Sequence, residues 1–147
     1  MHRARVLRFL SPEIFLLAGL FSAQFLIRTI LDWFVPPADF HTRATVSTVL
    51  GAVTLFSAGF LGSRRLGSLA MGVVSGVMTA SLAAIMSITC AAVLLALAHD
   101  PQTMAAIRGS GGLEEVFSLP LLMILPAAVL GLVGGLAYIA SKSVLCT

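Results

Sequence analysis

Four long apolar stretches, separated by short polar segments, run along the 147-residue chain. They cover residues 12–35, 44–62, 66–98 and 114–140. About 20 consecutive apolar residues are enough for an α-helix to cross a hydrocarbon core roughly 30 Å thick. The pattern therefore predicts four membrane-spanning helices, which we number spans one to four in chain order.

Capping and helix-breaking residues mark the ends of the early spans. Ser11 can cap span one with Pro12 in its first turn, and the proline pair at residues 36–37 ends that span. The Ser-Arg-Arg segment at residues 63–65 is predicted to be a very short connection between spans two and three.

The segment between spans three and four contains its own helix signals. Asp100 followed by Pro101 predicts the start of a short surface helix over residues 101–108. The glycine- and serine-rich residues 109–112 predict a flexible link. Within span four, Pro120 and Pro126 are predicted to bend the helix.

Composition supports a membrane protein. The chain is 59% hydrophobic and only 10% charged, whereas soluble domains contain about 25% charged residues. The surplus apolar surface must face lipid, and the long continuous runs favour helices over the ten-residue alternations of a β-barrel. We therefore predict an all-α, integral membrane four-helix bundle that forms a single membrane domain.

The distribution of basic residues predicts the orientation. One side of the predicted bundle carries Arg3, Arg5, Arg8, Arg64, Arg65 and Lys142, and the other carries Arg43 and Arg108 among acidic residues. Because basic segments stay in the cytoplasm, both termini are predicted to be cytoplasmic, with these six residues contacting lipid headgroups. The short helix is then extracytoplasmic. Scattered basic residues also argue against nucleic acid as a partner.

Small residues recur every fourth position in two of the spans. They are Ser68, Gly72, Gly76, Ala80 and Ala84 in span three, and Ala127, Gly131 and Gly135 in span four. Residues four apart share a helix face, and small faces let helix backbones approach closely in lipid. Two interpretations are open: packing within one bundle, or an interface with another subunit or a second copy.

Polar residues inside span one form a second pattern. Gln24, Arg28 and Asp32 lie four residues apart and so share one helix face. Charges within a span are costly and usually face protein or water. This strip could line a solute or proton path, could bind another membrane subunit, or could be a structural pair in which Arg28 reaches Asp32 and the interface. Trp33, beside it, is predicted to anchor the span at the interface.

The remaining chemistry is sparse. Cys90 lies in an apolar run and is predicted to be a small core residue, while Cys146 stands alone near the C-terminus. Asp39, His41, His99 and Asp100 flank span ends and are predicted to cap helices rather than bind a metal. No catalytic motif is visible, so we predict no enzyme activity, no catalytic residues, no metal and no cofactor.

These observations support one leading hypothesis and one alternative. The leading hypothesis is a non-catalytic accessory or scaffold subunit of a larger complex, which packs through its small-residue faces. The alternative is an oligomeric transporter or channel that uses the polar strip of span one. Short loops and an uncleaved basic start suggest the bacterial inner (plasma) membrane, with the bilayer and other membrane subunits or further copies as partners.

Overall fold

The protein is built from α-helices. The computed structural model describes residues 12–34, 40–97, 101–109 and 112–145, and every regular element in those ranges is an α-helix. Four helical segments are long and apolar enough to cross a membrane. The prediction of an all-helical protein with four candidate spans is confirmed.

Six helices account for all the described residues except Gly67, Ser68 and Met123. They are α1 (Pro12–Phe34), α2 (Phe40–Leu66), α3 (Leu69–Leu97), α4 (Pro101–Gly109), α5 (Gly112–Leu122) and α6 (Ile124–Leu145). Spans one to three correspond to α1, α2 and α3. Span four consists of α5 and α6, and α4 is the short helix between spans three and four.

The connection between spans two and three differs from the predicted one. Ser63, Arg64 and Arg65 belong to the end of α2, and only Gly67 and Ser68 separate α2 from α3. Gly67 has a φ of 67°, which suits glycine, and its N–H donates to the Ser63 carbonyl at 2.8 Å. The prediction was wrong because basic residues were taken as loop, whereas the negative end of a helix dipole favours them in the last turn.

The short helix between spans three and four is confirmed. It was predicted over residues 101–108 and extends from Pro101 to Gly109. Gly109 and Gly112 belong to α4 and α5, so the predicted four-residue link is wrong at both of its ends. Its two central residues, 110–111, lie outside the described ranges.

Span four is interrupted at Met123, between α5 and α6. Pro126 has no N–H to donate to the Leu122 carbonyl, which removes one helical hydrogen bond at this point. Helical hydrogen bonds continue on both sides of this point. The Met123 N–H donates to the Leu119 carbonyl at 3.1 Å, and the Ala127 N–H donates to the Met123 carbonyl at 3.0 Å. Pro126 thus accounts for the interruption of span four, whereas Pro120, also predicted to bend the span, lies inside the continuous helix α5.

The long helices alternate in direction along the chain. Glu13 at the start of α1 contacts Arg65 at the end of α2, so α1 and α2 are antiparallel. A Cβ added at Gly135 of α6 would lie 2.6 Å from the Ser63 hydroxyl of α2. Together with contacts further along both helices, this places α6 parallel to α2. The Gly67 turn makes α3 antiparallel to α2.

The bundle has two distinct ends. The turn end contains Gly67 and Ser68. The α4 end lies opposite, where Trp33 of α1, Ala91 of α3 and Ile107 of α4 form a small buried cluster. The short helix α4 therefore covers the end of the bundle furthest from the α2–α3 turn.

Three glycines bring the backbones of α2, α3 and α6 together. A Cβ added at Gly72 would lie 2.8 Å from the Gly131 carbonyl oxygen, and one at Gly131 would lie 2.6 Å from the Gly72 carbonyl oxygen. A Cβ added at Gly59 would lie 2.8 Å from the Gly131 carbonyl carbon. Because these neighbours are backbone atoms, they cannot rotate away. We call Gly59, Gly72 and Gly131 the glycine contact.

Many large apolar side chains face outward, while several alanines lie in the interior beside larger residues such as Phe21, Phe25 and Leu55. Ala18, Ala58, Ala80, Ala84 and Ala127 are buried. The exposed positions include Leu16, Ile27, Val49, Ile85 and Leu125. Extended exposed apolar surface marks a site of protein or membrane contact. With four candidate spans, this distribution indicates a multi-pass membrane protein.

Candidate functional site

Charged side chains from α1 and α2 meet near the α4 end of the bundle. Arg28 and Asp32 lie one helical turn apart, with the Arg28 Nε atom 3.4 Å from Asp32 Oδ2. Arg43 of α2 reaches the other oxygen of the same carboxylate, with Nη1 3.3 Å from Oδ1. The Asp32 carboxylate therefore bridges two guanidinium groups. We call Arg28, Asp32 and Arg43 the charged cluster.

The charged cluster is largely buried. The side chains of Arg28, Asp32 and Arg43 retain only 16%, 19% and 15% of their exposure. Ion pairing offsets the cost of removing these groups from water, so the cluster ties α1 to α2.

Sequence reasoning missed Arg43 as a member of this cluster. It placed Arg43 among the residues outside the spans, and the strip was expected to contain Gln24, Arg28 and Asp32 alone. The signal was available in the spacing, because only residues 35–39 separate α1 from α2. In an antiparallel helix pair with so short a connection, positions near 32 and 43 lie at similar depth.

Gln24 lies one turn further from the α4 end, between α1 and α2. Its amide nitrogen is fully buried and has no hydrogen-bond partner among the described residues. A Cβ added at Gly51 would lie 3.1 Å from that nitrogen. The absence of a side chain at Gly51 therefore gives the Gln24 amide room between the two helices.

Two cavities border these polar residues. The first, the α1/α2 groove, has a volume of about 270 Å³ and is lined by Gln24, Ile27, Arg28, Leu31, Thr42, Arg43, Val46, Ser47 and Leu50. The second has about 190 Å³ and lies between α1, α2 and the interrupted part of span four, near Phe25, Gly51, Met123 and Pro126. Arg28 and Ser47 line both cavities, so the charged cluster is accessible from each.

The small-residue stripes face one another within this chain. Gly72, Gly76, Ala80 and Ala84 of α3 are buried, as are Ala127, Gly131 and Gly135 of α6, while Ser68 is partly exposed at the turn. The Ser68 carbonyl accepts a hydrogen bond from the Ser63 hydroxyl at 3.2 Å. Sequence reasoning missed the contribution of α2, where Gly59 completes the contact.

The basic residues described near the turn end are exposed. Arg64, Arg65 and Lys142 lie in the last turns of α2 and α6. Arg65 pairs with Glu13, and both side chains keep over two-fifths of their exposure. Arg8, Arg3 and Arg5 lie outside the described residues.

Two side chains lie elsewhere than predicted. Trp33 is buried against Ile107 and Ala91 rather than exposed as an interfacial anchor, because α4 folds over it. Cys90 is exposed rather than part of the core. It lies on the outward face of α3, whose apolar residues surround the whole helix, so the sequence pattern does not reveal which face is buried.

The described residues contain no group of three or more His, Cys, Asp or Glu side chains that could hold a metal ion. His41 is exposed near the start of α2. The other residues of the predicted capping set, Asp39, His99 and Asp100, lie outside the described residues, as does Cys146.

Comparisons with protein-family models, with curated proteins and with solved structures found no match. Function is therefore inferred from the residues themselves and from their geometry.

Proposed function

We propose that this chain is an integral membrane protein that acts as a non-catalytic accessory or scaffold subunit of a larger membrane complex. The observation that carries the proposal is the closed interior at the glycine contact. A conduction path along the bundle axis needs space and polar groups between the helices. Around Gly59, Gly72 and Gly131 the backbones leave no room even for a methyl group.

The position of the charged groups supports the same proposal. Arg28, Asp32 and Arg43 lie between α1 and α2 near the α4 end and are held to one another by ion pairs. A solute path through one protomer would instead continue along the bundle axis, where the glycine contact is closed. The cluster is better suited to fixing α1 against α2, which leaves the apolar outer faces to contact lipid and other subunits.

The proposed orientation follows from the basic residues at the turn end. We place the turn end, with Arg64, Arg65 and Lys142, in the cytoplasm and α4 on the opposite face, in the plasma membrane of a bacterium. Both termini are then cytoplasmic.

Cysteine labelling in oriented membranes tests this orientation. The variants Arg64→Cys, Lys142→Cys and Arg108→Cys are made in a chain in which Cys90 and Cys146 are replaced by alanine. A membrane-impermeant maleimide should label R64C and K142C only in inside-out vesicles, and R108C only in right-side-out vesicles. Labelling of R64C and K142C from opposite faces would overturn the proposed topology.

Purification from native membranes in a mild detergent tests the subunit role. We expect the chain to elute with other membrane polypeptides in fixed stoichiometry, and native mass spectrometry to give one defined heteromeric mass. A monomer or homo-oligomer obtained without other polypeptides, under conditions in which known complexes from the same membranes stay intact, would contradict the proposal.

One observation favours the alternative of an oligomeric transporter. The α1/α2 groove lies beside the polar strip at the perimeter of the bundle, where a second copy could close it. Such a transporter would purify as a homo-oligomer and show solute flux in proteoliposomes. Arg28→Ala should then abolish flux while Arg108→Ala, outside the groove, preserves it. Equal flux in both variants would exclude this path.

A further inference from the structure

The register of α2 and α6 brings Arg64 and Lys142 to neighbouring positions at the turn end. The rings of Phe60 and Tyr138 meet edge to face, with centroids 5.6 Å apart. Close to this pair, a Cβ added at Gly134 would lie 2.8 Å from the Phe60 backbone nitrogen. Arg64 follows Phe60 by four residues and Lys142 follows Tyr138 by four, on two parallel helices. The helix faces that meet at the ring pair therefore carry the two cations one turn further on.

Arg64 and Lys142 differ from Arg65 in their contacts. Arg65 pairs with Glu13 across α1 and α2. Arg64 and Lys142 are exposed, and neither has an ion-pair partner among the described residues. The sequence predicts headgroup contacts for every basic residue on this side, whereas the structure gives Arg65 a partner within the chain. We call Arg64 and Lys142 the cation pair.

The positive charge of the turn end follows from where the acidic residues lie along the chain. Of the six in the sequence, only Glu13 belongs to the turn end. The other five belong to helical segments near the α4 end or directly precede a helix that starts there, and they are Asp32, Asp39, Asp100, Glu114 and Glu115. Because α2 is 27 residues long, roughly 36 Å of helix separates Asp39 from Arg64.

The segment that precedes α1 adds to this positive charge. It contains Arg3, Arg5 and Arg8 and no acidic residue, which more than offsets a carboxylate at residue 147. The partial charges of the helix ends cancel here, because α1 and α3 begin at the turn end whereas α2 and α6 end there. The acidic side chains of the protein therefore do not supply a counterion for the cation pair.

The cation pair lies next to apolar surface that suits hydrocarbon. Leu136 and Ile139 of α6, within two turns of Lys142, are 48% and 42% exposed. Tyr138 lies between them, and its apolar ring and polar hydroxyl suit the boundary between hydrocarbon and water. The two cations therefore lie at the level of the lipid phosphates, and the cytoplasmic leaflet, on the side proposed for the turn end, contains anionic lipids.

We propose that Arg64 and Lys142 together bind the phosphate of one anionic phospholipid. The Arg64 guanidinium can donate two parallel hydrogen bonds to the phosphate, while the Lys142 ammonium contributes a compact positive charge. One shared anion also offsets the repulsion between two cations that the helix register holds next to each other. The site does not depend on the subunit role proposed above, because the bilayer supplies the ligand to an isolated chain as well.

Native mass spectrometry of the delipidated full-length chain tests the cation pair. The probes are phosphatidylglycerol and phosphatidylcholine with identical acyl chains, because the choline group adds a positive charge that the pair repels. Wild type should prefer phosphatidylglycerol. Arg64→Gln and Lys142→Gln should each lower this preference about fivefold, the effect of one cationic residue near a headgroup. The double variant should lose less than the product of the two losses, because both residues hold one phosphate. Arg108→Gln removes the same charge from α4 and should keep the preference.

Two further variants keep the net charge and separate a defined site from general surface charge. Ser141→Lys combined with Lys142→Ser moves the cation by one residue, about 100° around α6. Both positions are exposed, so the exchange leaves the packing intact. It should lower the preference as much as K142Q does. Glu13→Gln combined with Arg65→Gln removes the exposed ion pair and should keep the preference.

Three lipid measurements would overturn the proposal: equal affinity of wild type for the two lipids, equal loss of preference in R64Q and R108Q, or full preference after the exchange of residues 141 and 142. Displacement of phosphatidylglycerol by inorganic phosphate at equal concentration would also overturn it, because the site would then recognise a free anion. So would an R64Q, K142Q variant that loses co-purifying polypeptides but keeps the lipid preference, since an acidic protein segment would then be the occupant. Failure of the subunit role would appear in the heteromeric mass of wild type and would leave these lipid affinities unchanged.

Discussion

Gly131→Ala should strongly destabilise the bundle. The new Cβ would lie 2.6 Å from the Gly72 carbonyl oxygen and 3.3 Å from the Val73 Cα atom. Both are backbone atoms, so α3 and α6 must separate and lose contact along their length. Overpacking of this kind typically lowers the free energy of unfolding by about 1–3 kcal/mol. We expect a loss near the upper limit, measured from unfolding curves in detergent.

Gly19→Ala is the matched control for this substitution. Gly19 is inside α1, and a Cβ added there meets nothing within 4 Å. The alanine should therefore keep or raise the free energy of unfolding, by up to about 1 kcal/mol, because it has the higher helix propensity. If G131A unfolds at the same denaturant concentration as G19A, the backbones of α3 and α6 are not in contact.

Asp32→Asn should produce the second large effect. The substitution keeps the shape of the side chain but leaves the adjacent guanidinium groups of Arg28 and Arg43 without their shared carboxylate. Removing one member of a buried ion pair costs about 3–5 kcal/mol in measured cases. Because the cluster keeps part of its exposure, we expect the free energy of unfolding to fall by about 3 kcal/mol. The same unfolding curves measure this loss.

Glu13→Gln provides the comparison at the opposite end of the bundle. It also neutralises a carboxylate that pairs α1 with α2, but Glu13 and Arg65 are 42% and 44% exposed. Exposed pairs contribute at most about 1 kcal/mol. The double variant Asp32→Asn, Arg43→Gln should lose less free energy of unfolding than the two single variants lose in total, since the groups interact directly. Equal losses of unfolding free energy in D32N and E13Q would show that water screens the charged cluster as it screens the exposed pair.

The four spans and the short helix α4 were predictable from the sequence because their determinants are local. A long apolar run and a proline or glycine at its end act within one segment, and these signals located four spans and the short helix α4. The error at Ser63, Arg64 and Arg65 also has a local cause. Arginine was taken as a marker of the membrane boundary, whereas the helix continues beyond that boundary to Leu66.

The candidate site was less predictable because its parts come from different helices. The i, i+4 spacing identified Arg28 and Asp32, but Arg43 joins them only through the antiparallel arrangement of α1 and α2. The burial of Trp33 depends on α4 folding over the end of the bundle. In α3, apolar residues cover every face, so no periodicity indicates that Thr79 is buried and Cys90 exposed.

The Gly67–Ser68 turn constrains how the chain enters a bilayer. Two extended residues reach about 7 Å, far less than the roughly 30 Å of hydrocarbon that a single helix must cross. The end of α2 at Leu66 and the start of α3 at Leu69 must therefore lie on the same face of any bilayer that both helices cross. Arg64 and Arg65, in the last turn of α2, then share one aqueous environment with the first turn of α3.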